Sequence, residues 1–73
     1  MAKTIEFKLR EGDEFIPLIQ LLKATQVAGS GGESQVMVMD GIVSLNGERE
    51  LRKRAKIRAG DVVTVLDFEI QMK

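Results

Sequence analysis

Six of the chain's eleven Lys and Arg residues fall in the ten positions from Arg49 to Arg58, within the stretch NGERELRKRAKIRAGD. Guanidinium groups offer planar forks of donors and ammonium groups offer compact point charges, and both complement phosphate oxygens. Arg49, Arg52, Lys53, Arg54, Lys56 and Arg58 therefore point to electrostatic recognition of a polyanion. The competing possibility is a solvated face, with Arg49 and Arg52 paired to Glu48 and Glu50. A second stretch offers related chemistry. If Gly31 and Gly32 open a helix, their free N–H groups lie at its N-terminus, where anions bind and Gly admits close approach. The alternative there is a flexible loop that merely carries a cap.

The rest of the composition removes most other chemistry. The chain has 73 residues, no Cys and no His. There is then no disulfide, no thiolate metal site, and neither the commonest metal ligand nor the commonest general base. Asp40 and Asp61 each adjoin a Gly, which turn chemistry explains, and Ser30 and Ser34 have no evident base. No catalytic residue, metal or cofactor is expected. The formal net charge is zero, yet it is unevenly spread: −3 over residues 1–48, +5 over 49–58 and −2 over 59–73. A basic patch attracts phosphates whatever the net charge, so the asymmetry points to a partner met by one face. The longest apolar runs, Val36 to Met39 and Val62 to Leu66, fall far short of the roughly 20 residues of a membrane span. The N-terminal MAKTIEFKLRE mixes acids and bases with no apolar stretch after it. A soluble, cytoplasmic protein is expected, with neither a membrane nor a small-molecule substrate as partner.

These side chains must be positioned by a small set of elements. Thr4 to Leu9 alternates, with Ile5, Phe7 and Leu9 on one face, as a half-buried strand does. Pro17 to Thr25 is predicted as a helix with Pro at its first position and Leu18, Leu21, Leu22 and Thr25 on one side. Ser30 and Glu33 match a capping box, which predicts a second helix from Gly31 to Asp40 closed by Gly41; the alternating QVMVM leaves a strand open there. Ile42 to Leu45 is read as a strand, Asn46-Gly47 as a hairpin turn and Glu48 to Leu51 as the return strand. Ala59-Gly60-Asp61 is a turn, followed by strands at Val62 to Leu66 and Phe68 to Met72. The order describes an α+β fold in a single small domain covering residues 1–73.

The aromatic census narrows the polyanion. There are three Phe, no Tyr and no Trp. Phe7 and Phe68 lie in core-like patterns and Phe15 abuts the first helix, so no exposed stacking platform is expected. Single-strand readers stack bases on aromatics. This chain suits recognition of structured RNA through phosphates and 2′-hydroxyls.

The ordered pieces LIQLLKAT, SGGESQVMVMDGIVSLNGE and RKRAKIRAGDVV resemble the S-four RNA-binding domain, and within it the YbcJ-like family of small bacterial proteins. The resemblance covers about Ile16 to Leu66. It implies the alpha-L motif: two short helices, then a β-hairpin with an N-G turn, then a G-D before a late strand, here with an added N-terminal strand and C-terminal strands. It also implies RNA binding without catalysis, with ribosomal or transfer RNA and the ribosome as candidate partners. Carried onto this chain, the phosphate-facing roles fall to Lys23, Gly31, Gly32, Arg52, Lys53, Arg54 and Lys56. Two departures shift weight onto the 49–58 run. Gly31 stands where many such domains have Arg after Ser, and Gln35 stands where YbcJ-like members tend to carry a base.

Two other classes share part of the pattern. A β-grasp sulfur carrier has a similar size, an N-G turn and a G-D strand, but its chemistry needs a C-terminal Gly-Gly, whereas this chain ends Ile70-Gln71-Met72-Lys73. A protein-interaction module remains the alternative, using the basic run or an edge strand at Phe68 to Met72.

Overall fold

The computed structural model describes residues 3–73. Seven strands and two helices occur in the order β1 (Lys3–Phe7), β2 (Ile16–Pro17), α1 (Leu18–Ala24), α2 (Gly31–Met39), β3 (Val43–Leu45), β4 (Glu48–Arg49), β5 (Lys56–Ile57), β6 (Val62–Val65) and β7 (Phe68–Met72). Five strands form one sheet in the order β1-β7-β6-β3-β4, while β2 and β5 form a separate antiparallel pair. Within the large sheet β1 lies parallel to β7, and the other pairings are antiparallel. The fold is α+β.

The core follows the apolar periods. Leu18, Leu21 and Leu22 of α1 are fully buried, and so are Val38 of α2, Val43, Ile57, Val63, Val65 and Ile70. Ile5, Phe7 and Leu9 are half-buried against this core, with Thr4, Glu6 and Lys8 exposed between them. Ser34 is fully buried, yet its hydroxyl donates to the Ser30 carbonyl at 3.0 Å, so the core holds no unsatisfied polar group there.

The helix ends show how the elements are tied together. α1 starts one residue later than predicted. Pro17 is extended (φ −61°, ψ 142°) and pairs with Lys56 in the short β2–β5 ladder. The first amides of α1 are satisfied by the basic run itself: Leu18 N–H donates to the Ala55 carbonyl at 2.9 Å and Ile19 N–H to the Lys53 carbonyl at 3.1 Å. The second helix is a helix, not a strand. Ser30 Oγ accepts from Glu33 N–H at 3.2 Å, and the Glu33 carboxylate accepts from Gly29 N–H rather than from Ser30 N–H. At its far end Gly41 takes φ +76°, the left-handed conformation that lets the chain turn.

Leu45 pairs with Glu48 across Asn46-Gly47, both at positive φ (52° and 88°), as a type I′ turn requires. The return strand is shorter than the predicted Glu48 to Leu51, because only Glu48 and Arg49 pair before the chain leaves the sheet. The last strand is not an edge. β7 sits between β1 and β6, and the exposed edges of the large sheet are β1 and β4.

Candidate nucleic-acid interface

After β4 the chain crosses from the large sheet to α1, and residues 52–58 make that crossing. Arg52 and Ala55 close a turn through a 3.2 Å hydrogen bond from Ala55 N–H to the Arg52 carbonyl. Ala55 and Ile57 then point into the core, at 6% and 0% exposure, while Arg54, Lys56 and Arg58 point out. An extended segment places alternate residues on opposite sides, so burying Ala55 and Ile57 turns Lys56 and Arg58 outward, and Arg54, at the end of the preceding turn, is exposed beside them. Arg52 joins them, and Arg52, Arg54, Lys56 and Arg58 line one open depression of about 500 Å³ floored by Ala55.

Other contacts hold this face in place. Asp61 accepts from Arg58 N–H at 2.8 Å and from the Asn46 side-chain amide at 3.1 Å. Asn46 Oδ1 in turn accepts from Val62 N–H at 2.8 Å. The N-G turn, the G-D turn and the end of the basic run are thereby joined by two side chains.

The cations are not equivalent. Arg52 is held by Glu50, whose carboxylate accepts from Arg52 Nη2 at 3.1 Å, from Nε at 3.2 Å and from the backbone N–H at 3.2 Å. The hydrogen bonds from the Arg52 side chain hold the Glu50 carboxyl below the ordinary range, against the opposing effect of its burial. The Arg52 side chain nevertheless remains 81% exposed. Arg49 lies across Gly41, and a Cβ placed at Gly41 would meet the Arg49 Cδ at 3.3 Å. Arg49 and Arg52 also line a neighbouring depression of about 350 Å³ with Asn46, Glu48 and Glu50. Lys53, Arg54, Lys56 and Arg58 make no ion pair among the described residues. Lys56 Nζ lies 5.1 Å from the centroid of the Phe15 ring, within cation–π reach.

The remaining expected residues sit on the helices. Lys23 is exposed in the last turn of α1, and Gln35 is exposed on α2. A side chain added at Gly31 would meet nothing within 4 Å, so the helix mouth is open. Glu33 already brings a carboxylate to that mouth through its bond to Gly29. Among the described residues no hydrogen bond or ion pair joins Lys23, Gly31, Gly32 or Gln35 to the 49–58 run.

One residue departs from its expected place. Phe15, expected to offer no exposed aromatic face, is 37% exposed and carries Lys56 over its ring. The β2–β5 pair sets this juxtaposition, and with only two residues in each strand it leaves little periodicity to read. The alternation of Ala55 and Ile57 with Arg54, Lys56 and Arg58 was a readable signal for the basic face.

Two short helices, a hairpin and the basic segment that follows it define the class as an α+β domain of alpha-L type. Residues 7–73 match the S4 domain family, and the chain belongs to it. The YbcJ protein of Escherichia coli (strain K12) is 33% identical over 57 residues, covering 78% of this chain and 81% of that protein. Its solution structure, described as revealing an alpha-L motif involved in RNA binding, superposes with a TM-score of 0.73 at 30% identity, covering 99% of this chain and 90% of that one. The tyrosine–tRNA ligase of Nitrosospira multiformis is 39% identical over 57 residues, which are 78% of this chain but 14% of the ligase.

Proposed function

We propose that this protein binds structured RNA through its phosphate backbone and catalyses no reaction. The observation that carries this reading is the shared depression of Arg52, Arg54, Lys56 and Arg58, set on a segment that the core anchors through Ala55 and Ile57. Membership of the S4 domain family supports it, as does the likeness to a structure described as an RNA-binding alpha-L motif. The primary contacts are Arg52, Lys53, Arg54, Lys56 and Arg58. Arg49, Lys23, Gln35 and the amides of Gly31 and Gly32 form a secondary rim. Double-stranded regions of ribosomal or transfer RNA are the proposed targets, in the cytoplasm and in association with the ribosome. The match to a segment of a tRNA ligase favours the tRNA part of that range. No helix among the described residues is long and apolar enough to cross a membrane.

The test is direct competition. A labelled RNA hairpin is bound by the protein and challenged with unlabelled hairpin or with an acidic polypeptide of equal charge. Displacement by the hairpin at far lower concentration is expected. Equal or better displacement by the polypeptide would favour a protein-interaction module instead.

A further inference from the structure

The connection from β1 to α1 folds over a second cleft that phosphate recognition does not use. Phe7, Leu9 and Phe15 are apolar lining residues and Arg10, Asp13, Glu14 and Gln20 polar ones, around an open cleft of about 590 Å³. That volume lies within the range of about 300–1,000 Å³ typical of small-ligand sites. The Asp13 and Glu14 carboxylates accept no side-chain hydrogen bond and make no ion pair among the described residues, so their acceptor capacity is open.

The cleft and the basic face meet at the contact between Phe15 and Lys56. Phe15 lines the cleft and also lies under the Lys56 ammonium, 5.1 Å from ring centroid to Nζ. Lys56 in turn lines the basic depression. The pairing of Ile16 with Ile57 and of Pro17 with Lys56 fixes the two surfaces relative to each other. A polymer whose phosphates lie along Arg54, Lys56 and Arg58 is thus held one side-chain contact away from an aromatic-walled cleft with free acceptors among its lining residues.

We propose that this cleft receives one unpaired nucleobase of the RNA held on the basic face, with preference for a base that offers adjacent N–H donors. Lys56 lies over one face of the Phe15 ring, and the other face provides stacking, which favours any base. The open carboxylates of Asp13 and Glu14 select among bases. Guanine presents two neighbouring N–H donors on its pairing edge, whereas uracil presents a single N–H between two carbonyl oxygens that a carboxylate repels. A base in a bulge costs less to swing out than one in a continuous stack. The protein then favours a stem with a bulged guanine over a perfect stem. This inference rests on RNA binding by the basic face, and it adds a nucleobase subsite to it.

Three RNAs of equal length test it at fixed ionic strength: a fully paired stem, the same stem with one bulged guanine, and the same stem with one bulged uracil. The parent is expected to bind the guanine bulge roughly tenfold more tightly than the paired stem, with the uracil bulge between them. In Phe15→Leu the bulge-to-stem ratio falls towards one. In the double variant Asp13→Asn, Glu14→Gln the difference between guanine and uracil disappears. These positions are exposed, and a thermal melt of each variant checks its fold. Equal parental affinity for all three RNAs, or an undiminished ratio in folded Phe15→Leu, overturns the subsite and leaves the basic face standing. Failure of the parent to bind any of the three overturns both.

Discussion

Arg52 is half committed before any RNA arrives, because Glu50 holds its guanidinium through both Nε and Nη2. Its charge is offset by a carboxylate, whereas Arg54 makes no ion pair among the described residues. Arg52→Ala is therefore expected to weaken RNA binding less than Arg54→Ala in a titration at low salt, and Glu50→Gln is expected to tighten it. Equal losses for the two arginines would show that Glu50 releases Arg52 on binding. The same pair predicts a pH dependence. Glu50 is held below the ordinary carboxyl range chiefly by the Arg52 side-chain hydrogen bond. The stabilisation is thus present above the unfolded-state value, about pH 4.3, and is lost as pH falls through the lower folded-state value. Melting curves from neutral to acid pH should fall less steeply in Glu50→Gln than in the parent over that interval. At this scale the residue types were legible in sequence, and pairing of Arg49 and Arg52 with Glu48 and Glu50 was the competing reading; only the Arg52–Glu50 pair forms among the described residues. Glu50 sits two positions from Arg52 with nothing local to distinguish it from Glu48.

Among the elements, the turns rather than the strands fix where the basic face ends. Asn46 takes φ 52° and bonds both Asp61 and Val62 N–H. Asn46→Ala removes two hydrogen bonds and places Ala in the left-handed region. A loss of roughly 2 kcal/mol in chemical denaturation is expected, together with weaker RNA binding because Asp61 loses one of its anchors. Unchanged stability would mean that the turn is held by its neighbours alone. The β6–β7 connection offers the opposite opportunity. Leu66 is 62% exposed and sits at φ 52°, a conformation that Asn tolerates better than Leu. Leu66→Asn is expected to stabilise the fold by about 0.5–1 kcal/mol. A lower melting temperature would mean that the Leu66 side chain makes a contact worth more than its backbone strain. Most of these elements could be read from the residues. The Ser30–Glu33 cap, the Gly41 stop, the Asn46-Gly47 turn and the alternation in β1 and β7 are all local signals. The β2–β5 ladder escaped, because two-residue strands have no period and Pro17 signals a helix start equally well. The parallel pairing of β1 with β7 escaped as well, since it joins the two ends of the chain and no local pattern encodes it.

For the whole molecule the uneven charge along the chain becomes a spatial one. The core draws in Ala55 and Ile57, and the cations beside and between them (Arg54, Lys56 and Arg58) emerge together with Arg52. Zero net charge is then compatible with tight polyanion contact, because binding responds to the local face and not to the sum. The dipeptide Gly31-Gly32 tests whether the interface extends to the second helix. Gly31→Glu puts another carboxylate at a mouth that already has Glu33, and it has room to fit. A severalfold weaker affinity for RNA is expected if the helix mouth takes part, and no change confines the interface to residues 49–58. The salt dependence of binding reaches the central claim most directly. Affinity for a paired RNA stem is measured across a range of monovalent salt for the parent and for Arg54→Ala, Lys56→Ala, Arg58→Ala combined. Each phosphate neutralised contributes roughly 0.7–0.9 to the slope of log affinity against log salt. The triple variant should remain folded and show a slope flatter by about two to three. A folded triple variant with the parent's slope and affinity would contradict the assignment of this face.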